Sequence, residues 1–131
     1  MGRFLPPDYS KGDEQTLGGY MAVHARPAAF EGIDGSSYSV DIAIDETGDA
    51  EAPIGAYLIF VRWSPGEPRI VGHLESDFLA HARTEDEARA TLGAMSLTET
   101  KRVLDGLIRA SQPSRAERPW WEIMREEDEG P

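Results

Sequence analysis

The most apolar stretch of the chain is Ile54–Trp63, I-G-A-Y-L-I-F-V-R-W, bounded by Ala52-Pro53 before it and Ser64-Pro65-Gly66 after it. A short run rich in β-branched and aromatic residues, closed by turn residues at both ends, reads as a strand covered on both faces. The other hydrophobic patterns are placed by their relation to it.

Upstream, Tyr38–Ile44 alternates, with Tyr38, Val40, Ile42 and Ile44 on one face and Ser39, Asp41 and Ala43 on the other. That is the pattern of a half-buried strand. Gly19–Gly32 reads as the strand before it, interrupted at Pro27, which cannot donate to a ladder. Asp34-Gly35 is a two-residue hairpin signal. That turn sets Ala29 opposite Val40, Pro27 opposite Ile42 and Ala25 opposite Ile44, apolar against apolar. Downstream, a five-residue loop, Ser64–Pro68, returns the chain as a strand over Arg69–Asp77. Trp63 then faces Arg69, Phe60 faces Gly72, Ile59 faces His73 and Leu58 faces Leu74. One face of this ribbon carries Leu58, Phe60, Ile70 and Leu74. The other carries Tyr57, Ile59, Val61, Trp63, Val71, His73 and Glu75.

The period then changes from two to 3.6. Thr84-Glu85-Asp86-Glu87 and Ser96-Leu97-Thr98-Glu99 are capping boxes that open helices over about 85–92 and 97–110. Leu97, Thr100, Val103, Leu104, Leu107 and Ile108 make a stripe at helical spacing, the side that packs on the sheet. The expected fold is α+β: a four-stranded antiparallel meander sheet with two C-terminal helices packed on one face. It divides into an irregular N-terminal arm (1–18), a single α+β domain (19–110) and a C-terminal tail (111–131). The tail carries an apolar island, Trp120-Trp121-Glu122-Ile123-Met124, before an acidic run.

Composition narrows the function classes. The 131 residues are 40% hydrophobic and 28% charged, a globular balance, and no apolar run approaches the ~20 residues of a membrane span. Met1–Pro7 lacks the basic and apolar pattern of a signal peptide, so a soluble, cytoplasmic protein is expected. The absence of cysteine removes disulfides, thiolate nucleophiles and cysteine-bound zinc. A net charge of −11 argues against nucleic acid and against anionic membranes as partners.

Candidate chemistry is sparse. His73, Glu75 and Asp77 alternate along one strand, with His81 close behind, and His with carboxylates is a metal-ligand set. No H-E-x-x-H spacing accompanies them, and the acidic loop Asp45–Glu51 lacks the order of a calcium loop. No metal and no cofactor is therefore expected. His24 lies beside Arg26, but there is no G-x-S-x-G elbow and no glycine-rich phosphate loop. A small enzyme or ligand binder would have to use His24, His73, Glu75 and Asp77 in a cleft beside Tyr57 and Trp63. The favoured expectation is a non-catalytic protein-interaction module. Its surface would be Tyr57, Ile59, Val61, Trp63, Val71 and His73, with Trp120, Trp121 and Met124 of the tail as a further anchor. A homodimer is the expected partner arrangement, ahead of a foreign protein.

Overall fold

The run Ile54–Trp63 is a strand along its whole length, and the sheet is built outward from it. The computed structural model describes residues 6–66 and 69–111. Within them lie helix α1 (Leu17–His24), strands β1 (Ala29–Glu31), β2 (Ser37–Glu46), β3 (Ile54–Trp63), β4 (Ile70–Glu75) and β5 (Ala80–Ala82), and helices α2 (Glu85–Gly93) and α3 (Leu97–Ser111). The fold is α+β. The antiparallel order β1-β2-β3-β4 is the expected meander, and β5 adds a fifth strand, paired to the start of β3. No helix among the described residues is long and apolar enough to cross a membrane.

Alternation along the strands builds the core. Tyr38 and Val40 of β2 and Ala56, Leu58 and Phe60 of β3 are buried, in one cluster with Leu17 of α1, Ala88 and Leu92 of α2, and Leu104 and Ile108 of α3. Each large side chain so buried contributes about 1.5–3 kcal/mol. Both capping boxes form: Thr84 accepts the Glu87 N–H at 3.2 Å and Ser96 accepts the Glu99 N–H at 3.1 Å. The stripe on α3 faces inward, with Thr100, Leu104 and Ile108 buried and Leu97, Val103 and Leu107 packed at the margin.

The strand expected over Gly19–Gly32 is corrected. Leu17–His24 is a helix, and only Ala29–Glu31 of that span is extended. Thr16 caps it by accepting the Gly19 N–H at 3.1 Å. Leu17 and Val23 bury on its inner side. The Gly18-Gly19 pair serves a close approach rather than a strand end: a Cβ on Gly18 would lie 3.1 Å from the Cα of Gly93 on α2. The cap residues of α1 and α3, Thr16 and Ser96, form an isolated bridge. Leu17 N–H donates to Met95 O and Leu97 N–H to Gln15 O, both at 2.8 Å.

Both hairpin registers also shift. Ala29 pairs with Ser39 rather than Val40, because Gly32 and Ser36 bracket a three-residue loop with Gly35 at φ 80°. In the second hairpin Phe60 pairs with Leu74, Ile59 with Glu75 and Val61 with His73, two residues from the expected pairing. Gly72 faces Arg62, not Phe60, and a bulge leaves Val71 without an opposite number. Beyond the bulge Ile70 pairs with Trp63 and is 61% exposed, where a core position was expected.

Candidate interaction surface

The buried strand residues pack with residues of all three helices, and no helix among the described residues lies against the opposite face of the sheet. Strand parity puts Tyr57, Ile59, Val61 and Trp63 of β3 on that far face, and all four are half-buried. The neighbours of the middle two are polar. Asp41 and Glu75 flank Ile59, and Ser39 and His73 flank Val61. The result is a narrow apolar stripe in a polar frame. Trp63 Nε1 donates to Ser39 Oγ at 2.9 Å, so the ring's one polar atom is satisfied within the chain.

One end of the stripe is roofed. Phe78 lies over Gly55, where any Cβ would run into its ring, and meets Tyr57 edge-on with centroids 5.8 Å apart. Beside it Asp45, Tyr57, Glu75, Asp77 and Phe78 line a shallow hollow of about 260 Å³. The rest of the stripe leads to the β4–β5 margin, where Ile70, Val71 (41%) and Leu79 (40%) are exposed.

The catalytic candidates do not converge. His73 Nε2 lies 3.2 Å from Glu75 Oε2, and Asp77 shares the hollow with Glu75. His24 sits instead at the end of α1, in the helical layer, 3.0 Å from Glu14 and against the Tyr20 ring at 4.3 Å. Among the described residues no three His, Cys, Asp or Glu side chains gather as metal ligands. Trp120, Trp121 and Met124 lie outside the described residues.

A second cavity, about 290 Å³, opens between the β1–β2 loop and the end of α3, lined by Asp34, Tyr38, Arg62, Leu74, Ile108 and Ser111 among others. Its polar groups are engaged with one another. Tyr38 OH donates to Asp34 Oδ2 at 2.8 Å and Ser36 N–H to Oδ1 at 3.0 Å. Burial opposes the charge on Asp34, but these two bonds and nearby Arg62 outweigh it and hold the carboxyl below its ordinary value.

No protein-family model, curated protein or solved structure matches the chain. The surface is therefore read on its own chemistry, and the two sheet edges differ. Val40 N–H donates to Ala28 on the β1 side, so alternation aims the N–H groups of Ile42, Ile44 and Glu46 at the same edge, beyond the end of β1. There Asp41 Oδ1 accepts Ile42 N–H at 2.8 Å, Asp45 Oδ1 accepts Glu46 N–H at 2.7 Å, and Arg89 reaches the Ile42 carbonyl at 3.4 Å. Two of the three outward N–H groups of the β2 edge are thus capped by acidic side chains of β2, with Arg89 of α2 alongside, a common defence against edge pairing. No described strand pairs with the outer side of β4.

The hydrophobic pattern of the sequence gives the stripe and Val71 of the margin, but not Ile70 or Leu79. Ile70 was assigned inward, and Leu79 was given no part. Pro65-Gly66 marks a turn without fixing its length, so a bulge after it leaves no local signal.

Proposed function

We propose that this chain is a non-catalytic protein-interaction module that self-associates, with the far face of the sheet and its β4 margin as the working surface and a second copy as the occupant. The observation that carries the reading is the one-sided placement of the helices. It leaves Tyr57, Ile59, Val61 and Trp63 half-covered and continuous with exposed Ile70 and Val71. Contiguous exposed apolar surface rimmed by polar groups marks interaction sites. The scatter of His24 away from His73, Glu75 and Asp77 weighs against a catalytic cleft.

Sedimentation equilibrium over a wide concentration range tests it. The wild-type chain is expected to dimerise reversibly. Val71→Asp, which places a charge at the margin, is expected to weaken association roughly tenfold or more, since tenfold corresponds to only ~1.4 kcal/mol. A wild-type chain that stays monomeric up to millimolar concentration overturns the reading.

A further inference from the structure

Granting that the far face of the sheet is the working surface, we infer that the chain regulates this face itself. Segment 118–125 docks on it in cis, with Trp121 over Val61, Ile123 over Ile59 and the Arg125 guanidinium in the acidic hollow beside Tyr57. A docked segment and a second copy then compete for the same stripe.

Three observations carry this. The first is charge. Arg62 is the one Lys or Arg within the five described strands, and the alternation of β3 places it on the helical side with Leu58 and Phe60. The far face carries Asp41, Asp45 and Glu75 instead, beside Tyr57 and Ile59. The hollow at the Tyr57 end is lined by three carboxylates, Asp45, Glu75 and Asp77, and by the rings of Tyr57 and Phe78, set at 78° to each other. A guanidinium suits such a site, because it pairs with carboxylates through its edge and stacks on aromatic rings through its face.

The second is sequence. Residues 112–131 lie outside the described residues, and within them 118–125 reads R-P-W-W-E-I-M-R. In an extended segment side chains alternate, so Trp121, Ile123 and Arg125 share one side and Glu122 takes the other. Two apolar residues followed by a cation match what the stripe presents from Val61 through Ile59 to Tyr57 and the hollow. Trp121 to Arg125 and Val61 to Tyr57 are each four residues, roughly 13 Å when extended.

The third is reach. Ser111, the last residue of α3, shares a cavity with Arg62, Gly72 and His73, and His73 pairs with Val61. The tail therefore starts beside β4 at the Trp63 end of the stripe, and no described strand lies along the outer side of β4. Trp121 comes ten positions after Ser111, a span of up to roughly 33 Å. Neighbouring strands lie only ~5 Å apart and packed layers ~10 Å, so this length passes round a single edge strand with room to spare. A short tether also holds the segment at an effective concentration in the millimolar range, so it prevails over the same segment of another copy at micromolar concentration.

The chain has no cysteine, so Glu122→Cys carries a single nitroxide in the full chain. The nitroxide is expected to broaden the amide resonances of Tyr57, Ile59 and Val61 and to spare those of α2. The broadening persists when the labelled chain is mixed with excess unlabelled wild type. Broadening that vanishes on mixing places the segment on a second copy and overturns docking in cis, as does broadening that is absent or confined to the helices. Sedimentation equilibrium tests the competition. The double variant Trp121→Ser, Ile123→Ser and the single variant Arg125→Glu are each expected to lower the Kd of self-association about tenfold. Each change makes the chain more polar or more acidic, which by itself weakens association, so tightening reports release of the face. Unchanged or weaker association overturns the competition. A chain that shows the broadening but stays monomeric at every concentration, variants included, removes self-association and the competition with it, while the docked segment stands.

Discussion

Tyr38 is nearly inaccessible to solvent, yet its hydroxyl needs a partner, and Asp34 supplies it. The two shift one another. Burial first, then the hydrogen bond and the charge of Asp34, raise the phenol above its ordinary value of 10.0. Asp34 moves the other way, below 3.8, because its bonds favour the charged form. A lowered carboxyl contributes stability above pH ~3.8 that is lost as pH falls through its folded value. A raised phenol contributes stability below pH ~10 that is lost as pH rises through its own. Tyr38→Phe is expected to cost about 1.5–3 kcal/mol at pH 7, the worth of a bond to a charged acceptor. The difference shrinks as pH falls through the folded value of Asp34, where the carboxyl takes up its proton. Guanidinium unfolding of both chains at pH 7 and over a descending acid series measures it, and equal losses throughout would show that the bond draws nothing from the charge. None of this was legible in the sequence, where Asp34 reads only as a turn residue. The bond depends on where the hairpin is carried.

At the scale of elements, what was legible is what is local. Thr84 and Ser96 cap their helices because a cap and its N–H lie three residues apart. Helix α1 was missed because Gly18-Gly19 weakens a helical pattern, and the gain that offsets this, contact with Gly93, lies far along the chain. The registers show the same limit. A shift of two residues in the second hairpin keeps His73, Leu74 and Glu75 on the faces expected of them, whereas the bulge moves Ile70 to the Trp63 side and leaves Val71 unpaired. A shift of one in the first hairpin set Ala29 against a serine. Helix α1 also ends in an unusual way: Ala25, its C-cap, has φ 53°. A Cβ in the left-handed region costs about 1 kcal/mol relative to glycine. Ala25→Gly is therefore expected to stabilise the chain by about 0.5–1 kcal/mol, read as a higher midpoint in thermal unfolding. An unchanged or lower midpoint would contradict that account of the helix end.

For the molecule as a whole, the central fact is asymmetry. One side of the sheet is thickly clothed, and one of its two edges is guarded. The expectation of a greasy ribbon covered by helices on one side only came directly from the ten-residue run and the two helical periods downstream, because there is not enough helix to cover both. Which edge stays open was not legible, since the guard at β2 needs Arg89 of α2 to arrive beside Ile42. Removing it makes a prediction. The double variant Asp41→Ala, Arg89→Ala is expected to aggregate faster than wild type in light scattering, with little loss of chemical stability, because both residues are exposed. Unchanged aggregation kinetics would mean the edge is protected by something else.

The bridge between Thr16 and Ser96 has a consequence for how the chain is made. It closes over about 80 residues of sequence, so its loop-closure entropy can be met only late, after the intervening hairpins have formed. During synthesis the segment around Gln15–Leu17 leaves the ribosome early, yet its partners Met95 and Leu97 follow only once the sheet has been translated. A segment made earlier is held in place by one that is translated about 80 residues after it.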